Sequence, residues 1–202
     1  MGVYHEYIVP HLVNLAMRNR QLAPYRERII RRAEGRVLEI GVGSGLNLPL
    51  YTRRATEILG LDPHPRLLAM ASAKPGSVPS KLIEGSAESI PLDDGSVDTV
   101  VSTWSLCTIG DVATALAEIR RVVRPHGQLL FVEHGLSSED RVRRWQDRLT
   151  PVWKRAAGGC HLNRPIASLV EEAGFRISEM ETGYMPGPKP MTFIYEGSAY
   201  PA

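Results

Sequence analysis

The residues best placed to do chemistry lie in Val37-Leu38-Glu39-Ile40-Gly41-Val42-Gly43-Ser44-Gly45, an apolar run that enters three glycines at alternate positions. Glycine lets a backbone turn sharply and lets a ligand approach without a Cβ in the way. The G-x-G-x-G spacing is one residue short of the dinucleotide fingerprint G-x-G-x-x-G, and no Gly-Lys-Ser/Thr ending marks a phosphate-binding loop. Glu39, just before the turn, would repel a phosphate but suits a cation. A second acid, Asp62, follows 23 residues after Glu39, with Pro63 beside it. An acid at that distance can accept hydrogen bonds from both ribose hydroxyls. The set fits a cationic nucleoside without phosphates, a description that S-adenosylmethionine meets through its sulfonium, ammonium and ribose.

These residues need a scaffold, and a beat of short apolar strands and helices supplies one from residue 36 onward. Strands are expected at Arg36–Ile40, Glu57–Leu61, Lys81–Glu84, Val97–Thr103 and Gln128–Glu133, with helices at about 46–54, 65–74 and 111–123. Leu129–Val132 is a continuous apolar run, and Val97–Val101, broken only by Asp98-Thr99, is taken for another, as strands buried on both faces are. The alternation predicts an α/β fold, a doubly wound Rossmann-like sheet. Residues 1–33 carry a helical apolar stripe, with Pro10 kinking it or starting its second half and Pro24 opening a further helix that ends near Gly35. They are expected to form a lid over the core of residues 36–135. Past residue 135, Ser138 should cap a helix through about Arg155, and Asn163 and Pro165 should open another that stops at Gly174. Strands at Phe175–Glu181 and Met191–Glu196 then close a mostly parallel sheet with a C-terminal antiparallel strand. One domain over residues 1–202 is expected, with 136–202 on the acceptor side.

Composition narrows the class. Of 202 residues, 43% are hydrophobic and 23% charged, which argues against a mainly disordered or disulfide-rich chain. No apolar stretch reaches 18 residues, and the first residues lack the pattern of a leader, so neither a transmembrane span nor a signal peptide is expected. Two cysteines suit a reduced, cytoplasmic setting. A net charge of +2 is too small for a general nucleic-acid footprint. Arg18, Arg20, Arg26, Arg28, Arg31, Arg32 and Arg36 nevertheless crowd one stretch. It reads either as a solvated helix face or as a lid that meets an anionic surface, such as a membrane contacted peripherally.

The stretch from Arg36 to Gly135 resembles class I S-adenosylmethionine-dependent methyltransferases, particularly the small-molecule branch that includes ubiquinone/menaquinone-biosynthesis enzymes. Glu39-x-Gly41-x-Gly43-x-Gly45 matches the family's first motif, with Ser44 inside it, and Asp62 matches its ribose acid. Gly85-Ser86-Ala87-Glu88-Ser89-Ile90-Pro91 matches its Gly-Asp-Ala-Glu-x-x-Pro segment, whose second and third residues flank the adenine. Asp94–Asp98 and Arg121–Gly127 match the motifs around the fourth and fifth strands. Ser86 departs from the usual aspartate, which removes a charged acceptor for the adenine amine. A narrower resemblance to the alkyl-thiol methyltransferases of animals rests on Trp104-Ser105-Leu106-Cys107, Val132-Glu133-His134 and Gly159-Cys160-His161-Leu162-Asn163-Arg164. Similar bacterial sequences are often labelled phospholipid N-methyltransferases.

The resemblance implies S-adenosylmethionine as cofactor, S-adenosylhomocysteine as product and a small, mainly apolar acceptor, with a thiol favoured. In-line methyl transfer chiefly asks the protein to align the nucleophile and exclude water. Cofactor contacts are expected from Glu39, Gly41, Gly43, Ser44, Gly45, Asp62, Pro63, Ser86, Ala87, Glu88, Thr103 and Trp104. The acceptor should meet Tyr4, Tyr7, Cys107, Glu133 and Trp145, under a roof that also draws on Trp153. His134 is the candidate base for a thiol proton. Adjacent Cys160-His161 lacks ordinary zinc-ligand spacing, so no metal is expected. The alternatives are methylation of a phospholipid head-group amine at a membrane surface, and cofactor binding without catalysis.

Overall fold

The protein is described by a computed structural model covering residues 14–202. Seven strands form one sheet in the order β3-β2-β1-β4-β5-β7-β6. They are β1 (Gly35–Ile40), β2 (Ala55–Asp62), β3 (Ser80–Glu84), β4 (Val97–Thr103), β5 (Val123–His134), β6 (Phe175–Tyr184) and β7 (Phe193–Pro201). Strands β1 to β5 pair in parallel, and β7 runs antiparallel to both β5 and β6. Five α-helices lie wholly among the described residues, α1 (Ala23–Ile30), α2 (Pro65–Ser72), α3 (Val112–Val122), α4 (Asp140–Ala156) and α5 (Ile166–Glu172), and residues 14–17 are helical as well.

Both faces of the sheet are covered, which is why apolar residues dominate the middle of its central strands. On one face Val37, Ile58, Val101, Leu130 and Val132 pack with Ile29 and Ile30 of α1 and with Leu68 and Ala71 of α2. On the other, Leu38, Leu59, Val100, Leu129 and Phe131 pack with Ala115, Leu116, Ile119 and Val122 of α3 and with Ile166 and Val170 of α5. α3 shows how the chain fixes an element end. Asp111 caps it, accepting from Thr114 N at 3.0 Å and Thr114 Oγ1 at 2.7 Å, and Arg120 and Arg121 occupy its last turn. Such a cap contributes about 1 kcal/mol, and the two cations favour the helix C-terminus.

Two elements depart from the sequence reading. The helix expected at about 46–54 is a single 3-10 turn, Leu48–Leu50. The side chain of Asn47 is committed to Glu39 and Thr103, and Pro49 has no N–H with which to continue an α-helix. Ser138 does not cap α4. Its N-cap is Glu139, and the neighbouring hydroxyl, Ser137 Oγ, accepts from Glu139 N at 3.0 Å. α4 also continues through Pro151 to Ala156. Of the 1–33 lid, residues 1–13 lie outside the described residues. Pro24 does open α1.

The arginine-rich stretch divides. Arg28 pairs with Glu196, Arg31 with Glu27, Arg32 with Glu179 and Arg36 with Glu57. Arg26 instead turns inward and is buried.

Candidate functional site

In doubly wound sheets ligands bind beyond the carboxyl ends of the strands, where the strand order reverses. Here that point lies between β1 and β4, and the glycine loop leaves β1 directly into it. Gly41, Gly43 and Gly45 have φ of +65°, +55° and +73°. Their reasons for being glycine differ. A Cβ on Gly41 would stand 2.3 Å from Ser105 Oγ, so the loop and the turn after β4 touch there. At Gly43 the nearest atom to a Cβ would be Gly41 O at 3.8 Å, leaving an open backbone face that a ligand can approach.

Two acids shape this loop, and neither hangs free. Asp62, at the end of β2, accepts from Gly43 N at 3.0 Å through one oxygen and from His64 N at 2.9 Å through the other. The imidazole Nδ1 of His64 lies 3.4 Å from Asp62, and that contact raises the His64 pKa. Asp62 Oδ2, which accepts from Gly43 N alone, keeps a further lone pair for a ligand hydroxyl. Glu39 lies deeper. Its oxygens accept from Asn47 Nδ2 at 2.8 Å and Tyr51 Oη at 2.9 Å. Burial pushes its pKa up to about 7, against the pull of those two donors and of Arg26. Arg26 donates to Asn47 Oδ1 at 2.9 Å, and its guanidinium sits 5.0 Å from the centroid of the Trp104 ring. Asn47 also donates to Thr103 Oγ1 at 3.0 Å. Sequence reasoning missed Arg26, Asn47 and Tyr51. Asn47 and Tyr51, four residues apart just past the glycines, were the available signal.

The turn after β4 is held from below by Glu133. Its carboxylate accepts from Ser102 Oγ at 2.7 Å, Ser105 N at 3.0 Å and Cys107 N at 3.2 Å. Burial raises its pKa to about 7, offset by those donors. The expected contact of Glu133 with substrate is therefore corrected: its side chain has no exposed surface, and its acceptors serve the turn. Trp104 within that turn holds φ +53°, a conformation that disfavours a bulky residue. Its N–H donates to Val132 O at 2.8 Å. Ser105 Oγ reaches Ile40 O at 2.9 Å, tying the turn to β1. The Arg164 guanidinium spans the far side, donating to the carbonyls of Leu106, Ile109 and Gly110.

The remaining candidates separate into three places. Pro63 and Ser86 are exposed and Ala87 is buried at the strand ends, while Glu88 turns away to accept from Asp111 N at 2.7 Å. Ser44 is buried, and its hydroxyl donates to Asn14 Oδ1 at 2.6 Å, so the chain before α1 reaches the glycine loop. Tyr4 and Tyr7 lie outside the described residues. Trp145 lies on the open side of α4. The inward face of α4 carries Val142, Gln146 and Thr150, whereas Trp145 is 49% exposed and lies under the Arg148 guanidinium. Cys107 is buried and Cys160 half-buried. His134, at the end of β5, is 5% exposed, and neither ring nitrogen has a hydrogen-bond partner. Among the described residues no group of three or more His, Cys, Asp or Glu side chains is placed to hold a metal ion.

The cradle fits S-adenosylmethionine on its own geometry. It offers an open backbone face at Gly43, an acid at the second strand end and a buried acid beneath the loop, with no anion-binding lysine in the loop.

Residues 38–131 match the family described as methyltransferase domain, and the chain carries this domain in the class I S-adenosylmethionine-dependent fold. A protein solved from Thermotoga maritima as a SAM-dependent methyltransferase shares that fold, with a TM-score of 0.69 at 21% identity over 98% of this chain and 100% of that one. Among curated relatives, thiol S-methyltransferase TMT1B of Rattus norvegicus is 32% identical over 158 residues, which is 75% of this chain. The chain spans 64% of that relative's length. Phosphatidylethanolamine N-methyltransferase of Cereibacter sphaeroides is 36% identical over 104 residues, covering 50% of this chain and 51% of that protein.

Proposed function

We propose that this protein methylates a small, mainly apolar acceptor, with a thiol as the favoured class. The observation that carries the methyl-transfer reading is the glycine loop with Asp62 bonded across it, open at Gly43. The thiol preference is supported by the similarity to thiol S-methyltransferases over three quarters of the chain.

S-adenosylmethionine supplies an activated methyl group when bound. The chain's own residues do the rest. Asp62 accepts from the ribose, Ser86 and Ala87 border the adenine, and Trp104 with Thr103 lines the methyl-donor end. Glu39, through Asn47 and Tyr51, fixes the loop from beneath. A thiol reacts as its thiolate, and His134, with both nitrogens free of hydrogen-bond partners, takes the proton. His134→Gln keeps the volume and removes the base, so kcat/KM toward a thiol should fall by about 10²-fold or more.

A second reading has its own support. α4 exposes Trp145 and Val152 among Arg141, Arg144, Arg148 and Arg155. Apolar residues set among cations on one helix face suit contact with an anionic lipid surface. No helix among the described residues is long and apolar enough to cross a membrane, so such contact would be peripheral. A radiolabelled-methyl screen decides between them, using alkyl thiols, quinols and phosphatidylethanolamine vesicles. Label in the thiols supports the first reading, and label in lipid alone the second. Cofactor binding with no transfer to any acceptor would leave a binding protein without catalysis.

A further inference from the structure

Beside the cradle, two sulfurs and two unsatisfied donors converge. Cys107 follows β4 and Cys160 follows α4, and the two thiols lie close enough for each to shift the other's pKa. The backbone already staples the two segments: Cys107 O accepts from His161 N at 2.8 Å and lies 3.3 Å from His161 Nδ1. A disulfide needs its two Cα atoms within roughly 7 Å, and the hydrogen bond from the residue after Cys160 to Cys107 O holds the two Cα atoms near that range. Around the pair, the His134 ring nitrogens and Trp153 Nε1 are buried with no partner at ordinary hydrogen-bond distance. Both groups lie near enough to the Cys160 sulfur to favour its thiolate. Buried donors left unpaired are costly, so their collection at one sulfur marks an anion site.

We propose that Cys160 and Cys107 form a hydroperoxide-responsive thiol pair, in which Cys160 is the attacked thiolate and Cys107 closes an intramolecular disulfide onto it.

The two cysteines differ in the way this chemistry needs. Cys160 is half-buried and reachable, whereas Cys107 is 2% exposed. The Cys107 thiol, and after it His134 and Trp153, hold the Cys160 pKa well below the ordinary range against its burial. The contact with Cys160, together with burial, pushes Cys107 well above it. Cys107 Sγ also lies 3.5 Å from Trp104 O, a second acceptor for its proton.

In the first step the Cys160 thiolate attacks one peroxide oxygen. An S–O bond forms, the O–O bond breaks, and the departing hydroxide takes a proton from solvent and leaves as water. The product is a Cys160 sulfenic acid. Cys107 then loses its proton and attacks the Cys160 sulfur. The S–S bond forms, the S–O bond breaks, and the hydroxyl leaves with that proton as a second water. The sulfur pair loses two electrons and the peroxide gains them. The disulfide would join the 157–161 loop to the turn that carries Trp104, which borders the proposed methyl-donor end of the cradle.

The test reads thiols and not methyl transfer, so it stands or fails separately from the proposed function. Reduced full-length protein is treated with hydrogen peroxide, digested without reduction and mapped by mass spectrometry. A Cys107–Cys160 cross-linked peptide is expected, reversed by dithiothreitol. In folded Cys107→Ser the reaction should stop at a dimedone-trapped sulfenic acid on Cys160. Iodoacetamide should alkylate wild-type Cys160 at pH 6 about tenfold faster than free cysteine, since thiolate fraction outweighs the lower nucleophilicity of a low-pKa thiol. If peroxide leaves both wild-type thiols free, or Cys160 alkylates at pH 6 no faster than free cysteine, the proposal is overturned.

Discussion

Asp62→Ala separates what the second-strand acid does for the loop from what it does for a ligand. In the ligand-free protein the substitution removes the acceptors of Gly43 N and His64 N. Hydrogen bonds to a charged group contribute about 1.5–3 kcal/mol each, but Gly43 and His64 lie close enough to solvent for water to replace part of this. A stability loss of about 2 kcal/mol is expected from denaturant melts. Binding loses a different contact. If Asp62 also accepts from the cofactor ribose, another 1.5–3 kcal/mol goes, and the dissociation constant for S-adenosylmethionine rises about 10- to 150-fold. Isothermal calorimetry at neutral pH reads this directly, with S-adenosylhomocysteine as a second ligand. His64 provides an internal control. Its pKa is raised chiefly by the hydrogen bond to Asp62, so in the variant NMR should show it falling back toward the ordinary value. Cofactor affinity within twofold of wild type, in a folded variant whose His64 has shifted, would place the ribose elsewhere and refute the reasoning.

Gly43→Ala and Gly41→Ala should fail differently. Gly43→Ala costs about 1 kcal/mol for its positive φ and places a methyl in the ligand's space, so calorimetry should show the larger loss in cofactor affinity. Gly41→Ala carries the same backbone cost plus a Cβ placed 2.3 Å from Ser105 Oγ, so its melting temperature should fall further. Glu39 and Glu133 have pKa values raised to about 7 by burial. Between the unfolded carboxylate value and 7, the native protein holds protons that the unfolded chain has released. Stability should therefore fall as pH rises through that window and level off above it, by up to about 3 kcal/mol per group. Urea melts from pH 4.5 to 8 should show this slope, and Glu133→Gln should flatten part of it. Arg164→Ala leaves three carbonyls of the 106–110 turn without their donor. A loss of about 3 kcal/mol is expected, with Arg164→Lys recovering only part of it in the same melts.

Much of the scaffold was legible because its signals are local. Short apolar runs bounded by turn residues, such as Leu129–Val132, read as strands covered on both faces, and the turn residues between them set the beat. The glycine loop was equally legible, since the left-handed backbone at Gly41, Gly43 and Gly45 strongly favours that residue type. Asp62 followed from its distance along a strand-turn-strand unit. The helix expected at 46–54 failed because a long-range commitment of Asn47 to Glu39 and Thr103 outweighed local propensity.

What the chain order could not reveal were choices of partner made across the fold. Glu133 looked free to meet a substrate until β4 and β5 paired and presented three donors to it from residues 102–107. Arg26 was one arginine among seven until α1 turned it toward Asn47 and the Trp104 ring. Trp145 suited a roof by type, yet the face that α4 buries is set by Val142, Gln146 and Thr150, and that rotation sends the indole outward. Cys107 and Cys160 are 53 residues apart in the chain, and only the packing of α4's trailing loop against the turn after β4 brings their sulfurs together. Backbone conformation answers to a residue and its near neighbours. The role of a polar side chain answers to whichever donors, acceptors and solvent the finished fold leaves beside it.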